Sequence, residues 1–214
     1  VELIPILKIN KAAQAKNITD VSLLHVNDVG KFKKLSDDIR LAKQFARAQE
    51  VYGAESYIKG FSGYVMELLV IQYGSFMKLM QAATKWKDNE WIGNKKKISA
   101  LNKAKKTSPL VLLDPVQDDR NASAALSREK YDLFKKACKR WVKNKSRTSF
   151  EKKEINLKVL KKQGIVFGIY GSPISPKRDI AGAKGLKACM FIIKHLEEFQ
   201  VKKWHFLSMR RLQK

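Results

Sequence analysis

The sequence predicts an α+β protein. Three observations carry that expectation. Apolar residues recur at helical spacing over 36–51, 60–86, 122–144 and 182–199. Short unbroken apolar runs at 1–9 and 109–115 read as strands, and helix and strand signals alternate from 154 onward. At 214 residues with 44% hydrophobic content, the chain can bury a core as one large or two small domains.

Residues 1–9, "VELIPILKI", read as a strand. A pattern that opens inside a strand implies a preceding piece, absent or on another chain. Over 36–51, Ser36 is a candidate cap, Asp37 and Asp38 suit the positive helix end, and Ile39, Leu41, Ala42, Phe45 and Ala46 form an apolar face. Residues 60–86 read as two helices. Ser62 caps a first helix that is apolar nearly all round, Gly74 ends it in the left-handed conformation, and Ser75 caps a second. Residues 87–108 are lysine-rich and polar and read as a basic loop. A strand over 109–115 and a helix over 122–144 follow, with Leu126, Leu133, Phe134, Ala137 and Trp141 inward. The tail reads helix 154–162, strand 164–170, helix 182–199 and strand 201–207, with Leu186, Cys189, Met190, Ile193 and Leu196 inward.

Charge narrows the partners. Lys+Arg number 44 against 20 Asp+Glu, a net +24 that favours a polyanion, foremost nucleic acid. No apolar stretch approaches the roughly 20 residues that span a bilayer, and no signal peptide is recognisable, so a cytoplasmic protein is expected. Cys138 and Cys189 lie in apolar helical patterns. Two cysteines and three scattered histidines do not make a zinc spacing.

Three blocks carry a resemblance: "RLAKQFARAQEVYGAE" (40–55), "GFSGYVMELLVIQYGSF" (60–76) and "DPVQDDRNASAALS" (114–127). In this order they resemble the archaeal-type CCA-adding enzymes, tRNA nucleotidyltransferases that build the 3′ CCA end from CTP and ATP without a template. The resemblance covers about 1–145 well and 154–207 loosely. The family opens with a nucleotidyltransferase head bearing a Gly-Ser loop, an Asp-x-Asp pair and a third carboxylate. Of these, only "VELIP" resembles the strand of the third, so the resemblance places Glu2 in the catalytic and Mg²⁺-binding position, where the family has Asp. It thus implies 1–30 as a head remnant, 31–108 as a helical neck with a basic loop, 109–153 as a body element, and 154–214 as a shortened α+β tail. The head would come from another chain or segment.

The resemblance also supplies nucleotide ligands. Lys43 and Tyr52 align with triphosphate ligands, a mobile cation and a hydroxyl donor, and their nine-residue spacing places them at opposite ends of one helix. On its own, Lys43 reads as a solvated helix lysine. His25 in "LLHVND" aligns with a family histidine of the nucleotide site; a surface or partly buried histidine is an equal reading. Arg120 aligns with the arginine that reaches the incoming base, and its planar fork suits acceptors shared by C and A. Asn121 is expected to cap the following helix, and Gln117 and Asp119 stand where the family more often has Asp and Pro. Lys95, Lys96, Lys97, Lys105, Lys106, Lys136 and Arg140 are expected on the tRNA backbone. Trp91 and Trp204 are candidates to stack on bases, whereas Trp86 suits a core. A competing reading is a headless RNA-binding relative inside a ribonucleoprotein.

Overall fold

The computed structural model describes residues 5–17, 19–152, 161–162, 169, 171, 177–196 and 201. Among them are seven α-helices and a two-stranded parallel sheet, so the protein is α+β. Two compact units divide the chain: Val1–Ala54 with Ile58–Lys153, and Glu55–Tyr57 with Glu154–Lys214.

The first unit begins without a strand among its described residues. Pro5–Ile9 is irregular, and Leu7 N–H donates to Asp20 Oδ1 at 2.9 Å. Asp20 is buried and also accepts the amides of Lys16 and Asn17; the Leu7 bond foremost, with these two, closes this segment as a loop and holds its carboxyl below the usual range. Residues 1–4 of the expected strand lie outside the described residues. Helix α1 (Ser22–Gly30) and a 3-10 turn at Lys33–Leu35 lead into α2 (Ser36–Ala48). Because that turn runs straight on, Ser36 is not a cap; its hydroxyl donates back to Lys33 O. Leu41, expected inward, is exposed, since α2 buries the stripe Ile39, Ala42, Phe45 and Ala46. Asp38 caps another helix instead, with Oδ1 2.7 Å from Phe76 N.

Helices α3 (Gly63–Tyr73) and α4 (Phe76–Ala83) match the sequence pattern. Ser62 accepts from Val65 N, Gly74 sits at φ 78°, and Ser75 accepts from Lys78 N. Val65, Met66, Leu68, Leu69 and Val70 make α3 the centre of the core.

The expected basic loop is instead folded. β1 (Glu90–Ile92) leads into α5 (Lys95–Ala100), capped by Asn94, and β2 (Leu110–Leu112) pairs in parallel with β1. Ile98 and Leu101 pack on Val111 in a small second core, which the lysines between them obscure in the sequence. Helix α6 (Arg128–Lys143) starts at a Ser127 cap, six residues later than expected. It buries Tyr131, Phe134, Ala137, Cys138 and Trp141, whereas Leu133 is exposed. Trp86 belongs to the core, stacked on Tyr131 at 5.7 Å and donating to Tyr73 Oη.

In the second unit, α7 (Arg178–His195) is held to residues 55–57: Ser56 N and Oγ donate to Asp179 Oδ1 at 3.0 and 2.8 Å. Cys189 is partly covered, but Met190, expected inward, is exposed. Trp204 and the expected segments 154–160, 164–168 and 202–207 lie outside the described residues.

Candidate nucleotide site

The first turns of α3 organise two groups of side chains. On one flank is the turn that leaves β2. Leu113 pairs with Asn121 in an isolated bridge, and the chain between them loops out, with Asp114 N donating to Arg120 O at 3.1 Å. Asp114 is fully buried at the base of this loop. Its Oδ1 accepts Tyr64 Oη at 3.0 Å, Val116 N at 2.9 Å and Gln117 N at 3.4 Å. Its Oδ2 accepts Arg120 Nη1 at 2.8 Å and lies 3.2 Å from His25 Nε2. One carboxylate thereby joins α1, α3 and the turn.

His25 stacks on the Tyr64 ring, centroids 4.2 Å apart. Burial pushes its imidazole below the usual range, with the Arg120 charge adding and Asp114 opposing. His25 is therefore neutral near pH 7. Burial, then Asp114, drives the Tyr64 hydroxyl far above its usual value, so it remains a donor. Arg120 spends one nitrogen on Asp114 and keeps about a third of its side chain exposed. Asn121 does not cap a helix. It is buried, with Oδ1 accepting Leu112 N and Ser123 N while Nδ2 donates to Lys105 O and Ser108 Oγ.

Lys43 and Tyr52 meet on the other flank. They do not stand at opposite ends of a helix: α2 stops at Ala48, and Tyr52 lies beyond it, bridged to Phe61. Both converge on Gly63, the first residue of α3. A Cβ there would lie 2.9 Å from Tyr52 Oη and 3.9 Å from Lys43 Cε, so only glycine leaves that approach open. Lys43 Nζ pairs with Glu67 Oε1 at 2.5 Å, and the Arg47 guanidinium sits 4.4 Å from the centre of the Tyr52 ring. Cations, a hydroxyl and the positive end of an eleven-residue helix there favour an anion.

The expected RNA-binding residues separate into two kinds. Lys95, Lys96 and Lys136 are exposed, and Arg140 is exposed with Nη2 3.2 Å from Gln49 Oε1. Lys97 and Lys105 instead reach the Arg120 turn, at 2.7 Å from Asp118 Oδ2 and 2.8 Å from Asp119 Oδ2. Lys106 donates to Ser99 O, its ammonium 5.8 Å from the Trp91 ring centre. Trp91 is partly buried against the second core, which leaves it less of a stacking surface than expected.

Glu2 lies outside the described residues. Among the described residues no three His, Cys, Asp or Glu side chains gather where a metal ion could sit. The Asp114 carboxylate is committed to N–H and O–H donors, so the described residues do not fit a Mg²⁺ site.

The sequence profile of the tRNA nucleotidyltransferase second domain matches residues 37–151, more than half of the chain. The chain belongs to that family. It is 39% identical over 145 residues to the CCA-adding enzyme of Methanosarcina mazei, covering 67% of this chain and 31% of the relative. It is 40% identical over 146 residues to that of Methanosarcina acetivorans, with the same shares, and 39% over 142 residues to that of Nanoarchaeum equitans, covering 63% and 36%. The chain thus spans about a third of the length of these curated relatives. In this tRNA nucleotidyltransferase domain, the sequence did not reveal Asp114, Tyr64 or Glu67 as site residues. Glu67 stands 24 positions from its partner and Tyr64 stands 50 from Asp114, and local patterns carry no such pairing.

Proposed function

We propose that this chain is the nucleotide- and tRNA-binding part of a tRNA nucleotidyltransferase that adds or repairs the 3′-terminal CCA with CTP and ATP. The observation that carries the reading is Arg120: Asp114 holds it by one nitrogen and leaves the rest of its fork for a base. Lys43, Tyr52 and the start of α3 bind the triphosphate, Lys43 exchanging Glu67 for phosphate oxygen. His25, neutral and packed on Tyr64, walls the base side. Lys95, Lys96, Lys136 and Arg140 track the tRNA backbone without reading its sequence. The Mg²⁺-dependent transfer is assigned to carboxylates of a nucleotidyltransferase head, on another chain or segment, with Glu2 as this chain's one candidate contributor. The domain roles follow: 1–30 is a remnant of the head, 31–108 the neck, 109–153 the body and 154–214 the shortened tail.

The test is to incubate the pure chain with tRNA ending before CCA, labelled CTP and ATP, and Mg²⁺, with and without a separately made head from a relative. Incorporation is expected only with the head. Binding of tRNA by the chain alone should weaken with salt at a slope of log K near −4, for about five phosphates at about 0.7–0.9 each. A slope shallower than about −1 removes the electrostatic account. Tight tRNA binding with no incorporation under any head supports the ribonucleoprotein reading instead.

A further inference from the structure

Lys43 and Arg47 stand one turn apart on α2, and their two charges are met differently. Like charges at this spacing repel. Glu67 offsets the charge of Lys43, whereas among the described residues the Arg47 side chain has no ion pair and no hydrogen bond. Its guanidinium lies instead over the Tyr52 ring, 4.4 Å from the centroid, although the side chain is exposed and has water to turn to. A cation in the last turn of α2 suits the negative helix end, but that role asks nothing of Tyr52.

A phenol oxygen lies in the plane of its ring, so the Tyr52 hydroxyl goes where the ring goes. The backbone on either side is pinned: Gly53 N donates to Phe61 O at 2.8 Å and Phe61 N to Val51 O at 2.7 Å. Beyond Cβ the ring is only half-buried, and its tip passes over Gly63, where a Cβ would come within 2.9 Å of Oη. The space that Gly63 leaves admits the tip without holding it, and the cover on the ring face is the Arg47 guanidinium. Stacking on an aromatic face is a task for which that planar group is suited. We propose that Arg47 is a positioning residue whose guanidinium, laid on the Tyr52 ring, aims the Tyr52 hydroxyl at the triphosphate beside Lys43. This rests on the phosphate-site reading above and adds to it the group that orients one of its ligands.

Equilibrium binding of CTP and of inorganic tripolyphosphate to the full chain, measured as a double-mutant cycle with Tyr52→Phe, tests the assignment. Tyr52→Phe removes the hydroxyl and keeps the ring. In the otherwise wild-type chain Arg47→Gln should weaken both probes about fivefold, or about 1 kcal/mol. In the Tyr52→Phe background the same substitution should change them by less than about twofold, since no hydroxyl is left to aim. Unfolding midpoints near wild type show that the variants fold. An equal loss in both backgrounds overturns the assignment, because Arg47 then meets the phosphate itself. No loss in either background, with Lys43→Met weakening both probes, also overturns it; the phosphate site then stands and Arg47 serves only the end of α2. A wild type that binds neither probe removes the phosphate-site reading and this one with it.

Discussion

On one flank of α3 a fully buried carboxylate, Asp114, is ringed by donors from α3 and the turn after β2; on the other, the Lys43–Glu67 pair leaves 22% and 23% of its side chains exposed. On the reading proposed above, one flank would hold a base and the other a phosphate, and the difference suits those two tasks. Reading a base requires donors fixed in direction, and a buried carboxylate fixes them because no water competes for it. Holding a phosphate requires charge that can be handed over, and a partly solvated pair exchanges partners at little cost.

The largest test of this contrast is Asp114→Ala. It strands Tyr64 Oη, two amides and Arg120, and should lower unfolding free energy by about 3 kcal/mol in a urea titration. A loss under about 1 kcal/mol would show that the buried flank is no better fixed than the exposed one. Next is Arg120→Lys, which keeps the charge but loses the planar fork. With a head present, kcat/KM for CTP and ATP addition should fall roughly 10- to 150-fold, for about 1.5–3 kcal/mol, while tRNA affinity stays within about twofold. A variant that loses tRNA affinity alone would make Arg120 a backbone contact.

A smaller effect is expected from pH. The folded state holds the His25 pKa below its usual 6.5, so its contribution is present above that value. As pH falls through the folded pKa, the unfolded chain takes the proton more readily and stability drops. His25→Gln should flatten that drop below about pH 6.5 in urea midpoints; an unchanged slope would mean that His25 is not held neutral by its surroundings. The smallest is Lys43→Met, expected to change stability by less than about 1 kcal/mol while weakening nucleotide binding. Stability falling as far as in Asp114→Ala would erase the distinction between the flanks.

What the sequence disclosed was local. Ser62, Gly74 and Ser75 mark the bounds of α3 and α4 because caps and left-handed glycines act within four residues of themselves. The β1–α5 unit escaped because β1 is only three residues long, too short for alternation to register, and the lysines at 95, 96 and 97 mask the Ile98 and Leu101 face. The start of α6 was misread because the small residues Ala122–Ala125 suit a helix, yet Asn121 turns its side chain back onto β2. Of the candidate site, Lys43, Tyr52 and Arg120 were marked by the family resemblance alone, since a lysine in so basic a chain reads locally as a solvated one. Their convergence on Gly63 and Asp114 is tertiary.

The bond from Phe76 N to Asp38 ties the opening residue of α4 to the first turn of α2. An amide secured in this way cannot exchange with solvent hydrogen by fraying of its own helix alone; the start of α2 must let go as well. Phe76 should accordingly be among the slowest first-turn amides in deuterium oxide, exchanging in step with α2. Asp38→Ala would return it to the rate of an ordinary helix end and make that single proton a clock for the joint opening of both helices.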